Sequence, residues 1–129
     1  MSKYSILITS DPYEGHEASK AIAFAKRLLT SGHDVENVFF YGRGVLHAND
    51  FMLENGDEFF AHKHWVALAN DHHVPLLVCV TAAVKRGVVS ELEAEENGLP
   101  GSNMRAPFEQ VGLGAFFTAL HKCDKLVQF

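Results

Sequence analysis

A chain of 129 residues, 47% hydrophobic and 21% charged, supplies one domain with a single core and leaves no room for a second. The formal net charge of −5 argues against non-specific nucleic-acid binding, which needs an overall basic field. Two cysteines, Cys79 and Cys123, with no long apolar start and no run able to span a bilayer, lead us to expect a cytoplasmic protein without a signal peptide.

Tyr4 to Thr9 reads as a first strand, continuously apolar as befits a strand covered on both faces. After the loop Ser10 to His16, residues Ala18, Ala21, Ile22, Ala25, Leu28 and Leu29 fall on one helical face. Lys20, Lys26 and Arg27 lie mostly elsewhere, and Gly32 is placed to end the helix. Val35 to Phe40 gives a second strand. Tyr41 to Asp57 then reads as a polar connection, long for a compact domain and of the kind that carries function or moves.

A second helix is predicted from about Glu58 to His72, since Ala61, Trp65, Leu68 and Ala69 share a face and Pro75 prevents continuation. Leu76 to Val80 is the third strand, followed by a short helical stretch to about Arg86. Ser90-Glu91-Leu92-Glu93 matches a capping box, and Gly98 with Pro100 closes that helix. The tail reads as a short strand at Phe108 to Val111, a helix at Gly114 to Cys123 and a last strand at Lys125 to Phe129.

Strands and helices thus alternate, which predicts an α/β fold: a single-domain three-layer α/β/α sandwich around a mainly parallel sheet of about five strands, spanning 1–129. In such sheets the functional crevice lies at the carboxyl ends of the strands. Cys79 sits at one of these ends, where a following helix offers free N–H groups and the positive end of its dipole to a thiolate. Lys85 and Arg86 are candidates to add to that field. Asp11, Tyr13, His16, Arg43 and His47 would rise from the same edge. The local pattern leaves two readings of Cys79 open, a reactive thiol and a small buried hydrophobe.

Other chemistries find less support. His62 and His64 are two apart on a predicted helix and His72 and His73 are adjacent at its end, so none pair at metal-ligand spacing. Gly42-Arg43-Gly44 and Gly112-Leu113-Gly114 lack the rest of a dinucleotide or phosphate-loop fingerprint and read as turns. No Gly-x-Ser-x-Gly elbow is present. A protease-type Cys-His pair, with His16 or His47 as base, has no local support, and Glu91, Glu93, Glu95 and Glu96 read as a solvated helix surface. Cys123 reads as structural.

Several stretches together carry a more specific signal: Phe39-Phe40-Tyr41 followed by Gly44-Val45 and Ala48-Asn49, Cys79-Val80 with Ala82-Ala83, Arg86-Gly87-Val88-Val89, Gly112-Leu113-Gly114, and the ending Cys123 to Phe129. In these the chain resembles the DsrE family of small sulfur-relay proteins, over almost its full length. The resemblance implies a sulfurtransferase subunit whose Cys79 accepts a persulfide sulfur from a TusA-like donor. A TusE-like acceptor would then carry it toward 2-thiouridine at the tRNA wobble position. It implies TusB-like and TusC-like partners in a heterohexamer, for which Phe51, Met52, Phe59 and Phe60 are candidate interface residues or, equally, ordinary core; no cofactor, metal, membrane or direct nucleic-acid contact is expected. Lys85 and Arg86 would hold the anionic sulfur, while Tyr13, His16 and Arg43 line its approach. Two other readings stay open: a DsrE-type subunit of a DsrEFH complex in sulfur oxidation, and a non-catalytic scaffold in which Cys79 is packing.

Overall fold

The computed structural model describes all residues, 1–129, and shows five strands in one wholly parallel sheet of order β4-β3-β2-β1-β5. The strands are β1 (Lys3–Ile8), β2 (Asp34–Phe40), β3 (Leu76–Cys79), β4 (Phe108–Val111) and β5 (Lys125–Gln128). Five helices connect or flank them: α1 (Glu17–Thr30), α2 (Ala61–His72), α3 (Val80–Lys85), α4 (Glu91–Glu96) and α5 (Leu113–Leu120). No helix is long and apolar enough to cross a membrane.

Strand alternation sends successive aromatic rings to opposite layers. Phe40 meets Trp65 of α2 edge-on at 5.3 Å, whereas Phe39 stacks on Phe116 of α5 at 4.4 Å. The first four strands add in one direction across the sheet, so their right-handed crossovers put α1 and α2 on the same face, where they pack together. α5 must return from β4 at one edge to β5 at the other, and it covers the opposite face. Ile6, Ile8, Val38, Phe39, Phe40, Val78 and Trp65 are completely buried between these layers. Removing a ring such as Phe116 from this packing should cost roughly 3–5 kcal/mol.

Most expected elements fall where the patterns place them, with shifts at their ends. α2 begins at Ala61 rather than Glu58, because Phe60 is still extended (φ −105°, ψ 91°) and no side chain caps the turn. The helix stops at His73, in the left-handed region at φ 57°, before Pro75 acts. The third strand ends at Cys79, and Val80 already opens α3. Gly112 is the N-cap of α5, so Leu113 and Gly114 are helical rather than a turn. The capping box is present: Ser90 Oγ accepts from the Glu93 N–H, and the Glu93 carboxylate accepts from the Ser90 N–H.

The larger correction concerns Tyr41 to Asp57. Its first half is a 3-10 segment, Gly42–Ala48, with Gly44, Val45, His47 and Ala48 buried against β2, β3 and α3. Gly44 lies so close to the end of β1 that a Cβ there would stand 1.9 Å from the Ile8 carbonyl oxygen. That approach, invisible in the local sequence, turns a polar-looking connection into core.

Candidate functional site

Cys79 is the last residue of β3 and the N-cap of α3, extended at φ −63°, ψ 115°, and only 4% exposed. It is a free thiol, and its side chain makes no capping hydrogen bond to the amides of α3. Val111 lies opposite it on β4. On the other side the β2–β3 ladder ends at Phe40–Val78, and Tyr41 continues β2 in extended conformation. Tyr41, which carried no site role in the sequence, is the next residue along the register that pairs Phe40 with Val78. The available signal was positional, since Tyr41 follows β2 much as Cys79 ends β3.

Lys85 and Arg86 do not surround the sulfur. They occupy the far end of α3, six and seven residues on, which at 1.5 Å per residue is about 9 Å or more along the axis. The Arg86 guanidinium is turned back on its own helix, donating to the Ala82 carbonyl at 3.2 Å. Both side chains are exposed.

Tyr13 and His16 are brought together, though around a different space. With Met52, Phe59, Phe60 and His62 they line a cleft of about 680 Å³ between the first turns of α1 and α2, and Cys79 is not among its lining residues. Arg43 is also drawn away from β3: its Nη1 lies 3.6 Å from Asp11 Oδ2, while Asp11 Oδ1 accepts the N–H groups of Tyr13 and Glu14. The three expected approach residues therefore organise the loop after β1 and do not enclose the thiol.

His47 is completely buried and does not face Cys79 as a base. Its Nδ1 accepts from the Trp65 indole N–H at 3.0 Å, which makes Nε2 the protonated nitrogen, donating to the Ser10 carbonyl at 3.0 Å. Burial lowers its pKa to about 4, against smaller raising effects of the Ser10 carbonyl and Asp11. His62 and His64 are lowered as well, burial being the main cause in each. Their rings diverge, His62 toward Phe108 and His64 onto Phe59, and no three His, Cys, Asp or Glu side chains are grouped to hold a metal.

Cys123 lies at the opposite, amino edge of the sheet, since the neighbouring Asp124 N–H donates to the Lys3 carbonyl at the start of β1. Its thiol donates to the Ala119 carbonyl, and burial, then Glu36 and Asp124, push its pKa up. Of the candidate interface residues, Phe51 is 64% and Phe59 44% exposed, whereas Met52 and Phe60 are half-buried.

A profile of the DsrE/DsrF-like family matches residues 2–129. The chain is 48% identical to Sulfurtransferase TusD of Proteus mirabilis over 126 residues, covering 98% of this chain and 97% of that one. It is 44% identical to Sulfurtransferase TusD of Serratia proteamaculans, with both chains covered completely. Among solved structures, the ychN protein of E. coli superposes with a TM-score of 0.78 at 16% identity over the full length of both chains, a likeness of fold.

Proposed function

The chain belongs to the DsrE/DsrF-like family, and from that membership we propose that it is a sulfurtransferase carrying its sulfur as a persulfide on Cys79. The observation that supports this most is the placement of Cys79. It is the one thiol at the carboxyl edge of the parallel sheet, in a chain similar from end to end to Sulfurtransferase TusD.

The chemistry asks little of the site. The Cys79 thiolate attacks the outer sulfur of a donor's cysteine persulfide. The donor's sulfur–sulfur bond breaks, the donor departs as a thiolate, and Cys79 holds the transferred atom. A second exchange of the same kind passes it to the acceptor. No cofactor, and no paired acid and base, enters either step. The donor in this reading is TusA-like and the acceptor TusE-like, leading to 2-thiouridine at the tRNA wobble position in the cytoplasm. The acidic chain meets tRNA only through that acceptor.

Assembly with TusB-like and TusC-like chains in a heterohexamer completes the reading. Phe51, Leu53, Phe59 and Phe117 are exposed large apolar side chains that such contacts would cover. Intact-mass measurement of the copurified complex after exposure to a persulfide-loaded donor tests it. One added sulfur, removed by reductant, kept in Cys123→Ser and lost in Cys79→Ser, is expected. No gain in wild type, with the donor demonstrably loaded, would reduce Cys79 to packing.

A further inference from the structure

Resting on that reading of Cys79, the structure raises the question of what controls access to a thiol only 4% exposed. The β2–β3 ladder pairs Phe39 with Leu77 and Phe40 with Val78. The ladder stops there, but Tyr41 (φ −136°, ψ 155°) and Cys79 both remain extended, and continuing the register by one residue puts them abreast at the inter-strand spacing of about 4.8 Å. Their side chains also share a face. Tyr41 stacks on Phe39, with ring planes 24° apart, and Cys79 follows Leu77 by two residues on the strand beside it.

Val111 stands on the β4 side, and Phe116 stacked on Phe39 carries the first turn of α5 over this end of the face. Tyr41 differs from them in being 42% exposed while its backbone is pinned. Its N–H donates to the Ile8 carbonyl at 2.9 Å, its own carbonyl accepts from the Gly44 N–H at 2.9 Å, and Gly42, at φ 56°, turns the chain away. Among these neighbours Tyr41 combines a held backbone with an exposed ring, whose displacement from Phe39 would leave the sheet in place.

We infer that Tyr41 is a specificity-determining gate, whose ring screens the Cys79 sulfur from small solutes in the free chain and yields to a protein partner docking on its exposed side. Shielding by a ring needs no hydroxyl, and this separates the proposal from a hydrogen-bonding or acid-base role.

The test is the rate at which iodoacetamide alkylates Cys79 in native protein, followed by intact mass in a Cys123→Ser background. Tyr41→Ala should react about tenfold faster or more, and Tyr41→Phe within about twofold of the parent. Tyr41→Leu should give an intermediate rise, and it keeps the comparison available if alanine loosens the strand. Cys123, followed in a Cys79→Ser background, is partly exposed at the amino edge of the sheet, reports loosening there, and should react at the same rate in every Tyr41 variant. An unchanged Cys79 rate on removing the ring, or an equal acceleration at Cys123, overturns the gate. Failure of the carrier reading registers separately, as absent sulfur uptake by wild type, because alkylation passes through no persulfide.

Discussion

Trp65 donates its indole N–H to Nδ1 of His47 at 3.0 Å, and both rings are wholly buried where the 3-10 segment meets α2. The opposite ring nitrogen holds the Ser10 carbonyl, so one neutral imidazole joins the loop after β1, the segment after β2 and the second helix. Protonation would place a second N–H against the indole donor, and burial resists the charge.

That arrangement predicts a pH dependence with a definite sign. Folded His47 takes its proton only near pH 4, whereas in the unfolded chain it does so near 6.5. Its contribution to stability is therefore complete above about pH 6.5 and falls away toward pH 4, by about 3 kcal/mol in all. His62 and His64, also lowered, act in the same direction. Urea unfolding across this range should show stability falling with acidity, and His47→Gln should flatten the curve. An equal slope in the variant would assign the effect to other groups.

Gly44→Ala should be strongly destabilising, by several kcal/mol, because the added carbon would overlap the Ile8 carbonyl and force β1 from the 3-10 segment. Gly114 provides the contrast. A Cβ there meets nothing within 4 Å, and the residue is helical, so Gly114→Ala should raise stability by up to about 1 kcal/mol. Thermal melts of the two variants should move in opposite directions.

Ser90→Ala should cost about 1 kcal/mol through loss of the α4 cap. Glu93→Ala should cost more, since the Glu93 carboxylate also accepts from Gln110 and so links the helix to the β4 segment. Chemical denaturation of the two single variants tests that order, and a less costly Glu93→Ala would contradict it.

Replacing Lys85 and Arg86 together by alanine should leave the pH profile of Cys79 alkylation superimposable on that of wild type. The two charges stand at the other end of α3, in solvent, where screening weakens their reach to the sulfur. A displaced profile would show that they act on the thiol after all.

Local patterns in the chain carry the arrangement of its elements. The helical stripe from Ala18 to Leu29, the Ser90–Glu93 box and the short apolar runs each depend on neighbours within a turn or a strand. Their alternation was enough to predict a parallel sheet with Cys79 at its carboxyl edge. What surrounds that cysteine comes from long-range packing. Register between β3 and β4 sets Val111 beside it, the approach of Gly44 to Ile8 buries His47, and the Asp11 pairing draws Arg43 aside. These relationships join residues far apart in the chain through strand pairing and close packing, and periodicity within any one segment does not encode them.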